Sequence, residues 1–233
     1  MFRRNSNNTI LKQRHLISHH SPKSTAAEQF RTIRTNIDFS EVNGELKKIM
    51  VTSSSPGEGK STVAANLAVV NAQQGKKVLL IDGDLRKPTI QYTFKLPNTN
   101  GLTTVLTKKI ELEEAIQETS VKNLYVLPSG PIPPNPAELL SSPMMGALLK
   151  YALESYDLII FDTPPILAVT DAQILSNLCD GSVLVVRSSV TEKELAKRAK
   201  ELLLKAQSRI LGVVLNGKQA VKADGYYYYY GNS

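Results

Sequence analysis

The chain has 233 residues, 42% hydrophobic and 21% charged, a composition typical of a globular protein with room for one large domain or two small ones. No stretch reaches the roughly 18 to 20 apolar residues that a membrane-spanning helix needs. The basic start lacks the apolar core of a secretory signal. One cysteine, Cys179, excludes an internal disulfide, favours a reducing compartment and lies in an apolar pattern that predicts burial.

The net charge of +7 is concentrated near the start of the chain. Residues 1–23 contain five basic and no acidic side chains, which leaves 23 basic against 21 acidic residues elsewhere. We therefore predict a flexible basic arm over residues 1–24, either simply solvated or in contact with an acidic membrane surface or partner. The rest of the chain has a basic excess of only two, so nucleic acid is not an expected partner.

Strand and helix patterns alternate along the rest of the chain. The predicted elements are a helix over 26–39, strand 49–52, helix 60–74, strand 77–81, two short helices within 98–122, strand 124–127, helix 137–154, strand 157–161, helix 170–179, strand 182–186, helix 191–206 capped by Thr191 and Glu194, and strand 210–215. This alternation predicts an α/β domain over 25–216, with a doubly wound and mostly parallel sheet. A flexible tail over 217–233 would follow.

A phosphate-binding loop is predicted where the first strand meets its helix. Gly59-Lys60-Ser61-Thr62 follows a short apolar run and begins a helical pattern, which is the context that a P-loop requires. Lys60 would reach the β- and γ-phosphates, and the Ser61 hydroxyl would hold Mg²⁺. Ser54 replaces the first glycine of the motif, so an ordinary loop remains the alternative. The candidate nucleotide-binding residues are Ser55, Pro56, Gly57, Glu58, Gly59, Lys60, Ser61 and Thr62.

Three carboxylates follow apolar strands: Asp82, Asp84 and Asp162. The carboxyl ends of parallel strands share one rim of the sheet, so these acids should converge on the P-loop, although a single strand-end aspartate is more often a turn residue. Asp162 and Asp82 are predicted Mg²⁺ ligands, directly or through water. Either Asp82 or Asp84 could accept the proton of an attacking hydroxyl, and Arg86 could orient this pair or stabilise phosphate charge.

One further feature outside the predicted pocket lies on the first helix. Glu28, Arg31 and Arg34 are three residues apart, so they share one face of that helix. This face is either a contact surface for another molecule or merely a solvated face with a Glu–Arg pair.

A cluster of five consecutive tyrosines lies in the tail. Its members are Tyr226, Tyr227, Tyr228, Tyr229 and Tyr230. They could form an adhesive aromatic patch. Alternatively they could accept phosphate groups, each of which would add about −1.5 to −2 charges.

Together these motifs resemble the bacterial protein-tyrosine kinases of capsule and exopolysaccharide synthesis, the CpsD/CapB type of Firmicutes. The matching stretches are residues 55–62, 80–88 and 159–165, the Glu28/Arg31/Arg34 helix and the tyrosine cluster.

The resemblance implies a P-loop fold of the deviant Walker A, MinD/ParA-like group, with ATP and Mg²⁺ as cofactors. It implies trans-autophosphorylation of the tyrosine cluster and a ring-like homo-oligomer joined through Glu28, Arg31 and Arg34. It further implies a cytoplasmic protein that associates with the membrane through a membrane-bound activator, a cognate tyrosine phosphatase, and substrates such as sugar-nucleotide enzymes.

Two other hypotheses remain at this stage. A partition or septum-positioning ATPase would share the fold, but that group carries an additional lysine early in its loop, where this chain has Ser55-Pro56. A non-enzymatic assembly module with an adhesive tail is the third hypothesis. ATP turnover and phosphotyrosine formation by the purified chain would distinguish the three.

Overall fold

The structure is a computed structural model that describes residues 16–40 and 46–218. The helices in these ranges are α1 (Ile17–His20), α2 (Thr25–Phe39), α3 (Lys60–Gln73), α4 (Ile90–Phe94), α5 (Leu102–Leu106), α6 (Leu112–Ala115), α7 (Pro136–Leu140), α8 (Pro143–Ser155), α9 (Asp171–Ser176) and α10 (Lys193–Lys205). The strands are β1 (Lys48–Ser53), β2 (Val78–Asp82), β3 (Gln117–Glu118), β4 (Leu124–Leu127), β5 (Leu158–Asp162), β6 (Gly181–Arg187) and β7 (Ile210–Asn216). None of the helices in the described ranges has the length and apolar character needed to cross a bilayer.

The strands form one seven-stranded sheet in the order β3-β4-β2-β5-β1-β6-β7. Every pairing is parallel except that of β3 with β4. The apolar runs in β2 and β5 are fully buried, as expected for parallel strands covered on both faces. The predicted doubly wound, mostly parallel α/β fold is therefore confirmed.

Side chains alternate between the two faces of the sheet. Ile49 and Val51 of β1 pack on the side covered by α1, α2 and α3, whereas Met50 packs on the side covered by α5 to α10. Helix α3 is buried along almost its whole length, because it lies between the sheet on one side and α1 and α2 on the other. The P-loop helix is thus fixed inside the domain rather than on its surface.

The prediction of a flexible arm is wrong for residues 16–24, the part of the arm that the structure describes. Leu16 and Ser18 are buried, and the Ser18 backbone N–H donates to Asn66 Oδ1 at 2.9 Å. The Gln73 side chain donates to the Ser18 carbonyl at 2.9 Å. These contacts attach α1 to α3, so residues 16–24 belong to the folded body. The sequence pattern missed them because α1 has only four residues and little periodicity.

Two other sequence predictions need correction. The helix predicted over 137–154 is two helices, because the backbone before Pro143 is extended at Ser142 and a new helix begins at the proline. Helix α10 has Glu192 at its N-cap and no capping side chain, because the Thr191 hydroxyl donates to Glu58 instead. The sequence analysis also did not predict α4 or the short strand β3.

Candidate active site

The loop between β1 and α3 has the backbone that a P-loop requires. Gly57 and Gly59 both have positive φ angles, of 81° and 96°, a region that glycine adopts without a steric penalty. A Cβ atom on Gly59 would lie 2.1 Å from Asn216 Nδ2, so any larger residue would displace this neighbour. The Ser54 amide, at the position where the motif has glycine, donates to Glu58 Oε2 at 2.8 Å.

Residues from β6 and β7 hold this loop in place. The Asn216 side chain donates to the Glu58 carbonyl at 2.8 Å, and Arg187 Nη1 donates to the Gly57 carbonyl at 3.2 Å. The Thr191 hydroxyl donates to the buried Glu58 carboxylate at 2.5 Å. The sequence analysis missed Asn216, Arg187 and Thr191, although the positions of Asn216 and Arg187 at the carboxyl ends of strands are a signal that could have identified them.

The lysine of the P-loop lies between two predicted acids. Lys60 Nζ is 3.0 Å from Asp84 Oδ2 and 3.2 Å from Asp162 Oδ1, and the Ser61 hydroxyl is 3.4 Å away. Burial alone lowers the pKa of Lys60, but Asp162, Asp84 and Asp82 outweigh it, so the net pKa is raised and the side chain remains an ammonium. The structure therefore brings together Lys60, Ser61, Asp84 and Asp162, as the sequence predicted.

Asp82 has a different environment from Asp84. Its Oδ2 accepts the backbone N–H groups of Thr89 and Ile90 at 2.8 and 2.9 Å, and its Oδ1 accepts that of Asp84 at 3.2 Å. Burial, with the nearby Asp162 carboxylate, raises the pKa of Asp82 to about 7. Strand register sets Asp82 beside Asp162. Both oxygens of Asp82, however, already accept backbone N–H groups from the loop after β2 and from the start of α4.

The hydrogen bond from the Thr89 backbone to Asp82 places Thr89 at the site. Thr89 precedes α4, and its hydroxyl donates to the Ser61 hydroxyl oxygen at 3.1 Å. Asp84 in turn accepts the Lys87 backbone N–H at 3.0 Å through Oδ1. The loop from β2 to α4 is therefore fixed by its own two carboxylates, and Thr89 is a site residue that sequence reasoning did not find.

The residues present fit a divalent cation. Asp162 is fully buried and its Oδ2 has no hydrogen-bond partner in the described part of the chain, which is costly unless something else binds that oxygen. Burial raises the pKa of Asp162, and Lys60 opposes that rise. No group of three or more His, Cys, Asp or Glu side chains within 16–40 and 46–218 forms a ready metal site. Mg²⁺ at nucleotide sites needs only one or two carboxylates besides phosphates and water.

Arg86 lies in the loop after β2. One of its two predicted roles was to orient Asp82 and Asp84, but its hydrogen bonds go to another carboxylate. Its Nε donates to Asp171 Oδ2 at 2.9 Å and its Nη2 to Asp171 Oδ1 at 3.0 Å. The hydrogen bonds that Arg86 donates to Asp171 raise the pKa of Arg86. Asp171, the first residue of α9, was not singled out from the sequence.

The predicted contact helix is only partly available for a neighbour. Arg31 forms an ion pair with Glu28 and donates to the Pro22 carbonyl at 2.7 Å. Arg34 instead turns towards α3, where its Nη1 donates to the Val70 carbonyl at 3.0 Å. Of the three residues, only Glu28 and Arg31 therefore face outward as the prediction requires.

The predicted phosphate acceptors are not among the residues that the structure describes. All five members of the tyrosine cluster lie outside the described ranges: Tyr226, Tyr227, Tyr228, Tyr229 and Tyr230. Their role as acceptors therefore stays a prediction from the sequence.

Comparisons with known proteins agree with this fold and site. A family model described as an AAA domain matches residues 46–208. The septum site-determining protein MinD of Pyrococcus horikoshii OT3, solved with Mg-ADP, superposes with a TM-score of 0.64 at 28% identity, over 76% of this chain and 72% of that one. The fold and the loop therefore define a P-loop protein with the fold of the MinD-like group.

Sequence relatives are more specific. The tyrosine-protein kinase YwqD of Bacillus subtilis (strain 168) is 60% identical over 217 residues, which are 93% of this chain and 92% of YwqD. The crystal structure of the chimerical protein CapA2B2 superposes with a TM-score of 0.83 at 46% identity, over 86% of this chain and 88% of that one. This chain belongs to the bacterial tyrosine-kinase family of capsule and exopolysaccharide synthesis, and the resemblance inferred from its motifs is confirmed. Its activity is that of a transferase, a tyrosine-protein kinase.

Proposed function

We propose that this chain transfers the γ-phosphoryl group of ATP to the tyrosine cluster Tyr226–Tyr230 of a neighbouring copy, and so regulates capsule or exopolysaccharide synthesis. One observation carries the proposal: Lys60 Nζ lies 3.0 and 3.2 Å from two buried carboxylates at the P-loop. Beside it is a buried Asp162 oxygen without a hydrogen-bond partner in the described ranges. That arrangement suits a phosphate group together with a divalent cation.

The chain's own residues bind and orient the nucleotide. The backbone N–H groups of Ser55 and of residues 57–62, together with the ammonium of Lys60, would bind the phosphate oxygens, whereas Pro56 has no N–H to contribute. The hydroxyl of Ser61 and the free oxygen of Asp162 would hold Mg²⁺, which when bound withdraws charge from the β- and γ-phosphates. Asp82, also predicted as a metal ligand, would act through its neighbours, because its two oxygens accept three backbone N–H groups.

The same geometry favours Asp84 as the acceptor of the phenolic proton. Its Oδ2 is bound by the flexible ammonium of Lys60, which phosphate oxygens can draw away, whereas Oδ2 of Asp82 is bound by two rigid backbone N–H groups. A carboxylate is an adequate base when the transition state is loose, since the attacking oxygen needs little deprotonation early in the reaction. Asp84 would then take the phenolic proton as the tyrosine oxygen bonds to the γ-phosphorus and the bond from that phosphorus to the bridging oxygen breaks, so that ADP leaves.

The proposal extends to partners and location. The proposed partner is a membrane-bound activator at the cytoplasmic side of the membrane. The CapA2B2 protein, which is similar to 86% of this chain, is a chimera, and this supports pairing with a second component. A ring of copies would present the tyrosines of one subunit to the P-loop of the next. A cognate tyrosine phosphatase would reverse the modification, and sugar-nucleotide enzymes are the proposed further substrates.

The first test is intact-mass spectrometry of the purified chain after incubation with ATP and Mg²⁺. We expect added phosphate masses on the full chain and none on a chain truncated after Asp224, because truncation removes the tyrosine cluster. The activator's cytoplasmic segment belongs in a parallel sample. Release of inorganic phosphate without any added mass, even with that segment present, would instead support an ATPase switch.

A second test separates assembly from folding on α2. We expect Arg31→Ala to give smaller particles by light scattering with an unchanged melting temperature, because Arg31 is bonded only near the surface. Arg34→Ala should lower the stability by roughly 1–3 kcal/mol, because it leaves a buried carbonyl without its charged donor. Arg198→Ala on the exposed face of α10 removes the same charge elsewhere and is the matched control. An unchanged particle size for Arg31→Ala would make this helix an ordinary solvated face.

A further inference from the structure

A buried carboxylate outside the proposed phosphate site holds the one arginine of the β2–α4 loop. Asp171 is fully buried, while 41% of the Arg86 side chain is exposed. Both Asp171 oxygens accept hydrogen bonds, at 2.9 and 3.0 Å, from two nitrogens of the guanidinium. This is the parallel two-bond geometry that fixes a guanidinium in one plane.

Stability alone does not account for this pair. An ion pair with one partly exposed partner contributes little net stability, since solvent screens the attraction and the cost of burying the other charge offsets it. Two apolar side chains could join α9 to the loop equally well. The pair does orient the Arg86 guanidinium. It joins two elements that are 85 positions apart in sequence, and the two parallel hydrogen bonds allow the guanidinium little rotation.

The remaining nitrogen of Arg86 is free to bind something else. Nη1 has no hydrogen-bond partner within the described ranges 16–40 and 46–218. Arg86 is two residues from Asp84, whose carboxylate meets Lys60 of the P-loop. Besides Asp171, the Asp84 carboxylate is close enough to Arg86 to raise the pKa of the guanidinium, and a guanidinium edge matches a phosphoryl oxygen in charge and geometry.

We infer that Asp171 is a positioning residue, which holds Arg86 so that its Nη1 edge binds an oxygen of the phosphoryl group being transferred. This inference rests on the proposed function for its substrate, but not for its geometry. Asp171 itself does not touch the substrate. It acts by fixing the plane of Arg86, and the guanidinium stabilises the charge on the phosphoryl oxygens.

The first experiment compares Asp171→Asn with the unaltered chain. The amide keeps the size of the side chain but loses its charge and one of its two acceptors. We expect the initial rate of phosphate addition at saturating ATP to fall about 10- to 100-fold, the effect typical of a misplaced catalytic group. Binding of ATP, measured with a fluorescent analogue, should change less than about twofold, because Lys60 and the loop amides dominate it. Equal rates for Asp171→Asn and the unaltered chain would overturn the inference.

A rescue experiment separates positioning from folding. Guanidinium ion added to Arg86→Ala should restore part of the lost rate, because the Asp171 carboxylate can bind the ion where the side chain was. The double variant Arg86→Ala/Asp171→Asn should show no rescue, and Arg209→Ala, which removes a distant surface contact to Ser40, should be indifferent to the ion. Equal rescue of the single and double variants would contradict a role for Asp171. If Arg86→Ala does not fold, Arg86→Lys replaces it. We expect Arg86→Lys to lower the rate of phosphate addition, because lysine cannot form the two parallel hydrogen bonds to Asp171, and added guanidinium ion should not restore that rate.

A nitrogen-15 NMR measurement does not depend on kinase activity. The Arg86 Nε–H signal should shift when ATP and Mg²⁺ are added to the unaltered chain, and this response should be lost in Asp171→Asn. A chain that shows the shift but forms no phosphotyrosine would refute the proposed function while keeping the inference. A chain that forms phosphotyrosine with no shift at Arg86 would refute the inference about Arg86 and Asp171 while keeping the proposed function.

Discussion

Replacing Lys60 by methionine is expected to lower phosphotyrosine formation by about 10²- to 10³-fold or more, the loss typical of removing one preorganised charged donor. Lys60 is the ammonium that lies between Asp84 and Asp162. Methionine has a similar length and no charge, so the variant keeps the packing of α3 but cannot stabilise phosphate oxygens. The measurement is the initial rate of mass addition with ATP and Mg²⁺, for the variant and the unaltered chain.

The same substitution also tests the electrostatics of the cluster. Without Lys60, two buried carboxylates face each other with no cation, which would cost roughly 3–5 kcal/mol if both stayed ionised. Proton uptake by one of them should relieve most of this cost, so we expect a folded protein with a lower melting temperature. Lys48→Met, at the opposite end of β1, breaks only the partly exposed pair with Asp180 and is the matched control. Undiminished autophosphorylation in Lys60→Met would refute the proposed site.

Replacing Asp84 by asparagine is expected to reduce phosphoryl transfer by about 10²- to 10⁴-fold, the range for a positioned general base. The amide can still accept the Lys87 backbone N–H through its oxygen, so the loop should keep its shape. Its nitrogen cannot accept a proton from the phenol and does not attract Lys60. We therefore expect a large loss of rate with only a small loss of stability, measured by mass addition and by thermal unfolding.

Asp82→Asn is the matched control, because it makes the same chemical change two residues away. An amide nitrogen at the Oδ2 position would face the N–H groups of Thr89 and Ile90, and leaving such groups unpaired costs about 1–3 kcal/mol. We expect this variant to lose stability and to hold Thr89 less firmly against Ser61. If Asp82→Asn keeps its stability but loses more activity than Asp84→Asn, Asp82 is the base and the assignment made here is wrong.

The strand ends show how much of the site was predictable. Asp82 and Asp162 each close a short apolar run, and carboxyl ends of parallel strands share a rim whatever the order of strands in the sheet. Their convergence near Lys60 was therefore predicted without knowing that β2 lies directly beside β5. The local pattern also did not reveal the split of the helix at Pro143, because apolar spacing continues through the break.

The contacts that fix the site were not predictable in this way. Asn216 reaches Glu58 across 158 positions of sequence, and Asp171 reaches Arg86 across 85. Asparagine and aspartate are common at strand and helix ends for purely local reasons. Only the pairing of β7 with β6, and the packing of α9 on the face of the sheet opposite α3, distinguish these residues from ordinary turn residues.

The amino-acid sequence by itself determined the chemistry and the class of fold. The periods of its apolar residues specify a parallel sheet with helices on both faces, and Gly59-Lys60-Ser61 together with the strand-end acids specifies a phosphate site, because those properties depend on local spacing. The tertiary structure alone decided which donors surround each carboxylate. Asp82 is bound by backbone N–H groups, Asp84 by an ammonium, and one oxygen of Asp162 by no group in the described ranges. Chemically identical side chains acquire different environments from the donors that the fold places around them, and the Lys60 donor comes from a distant part of the chain.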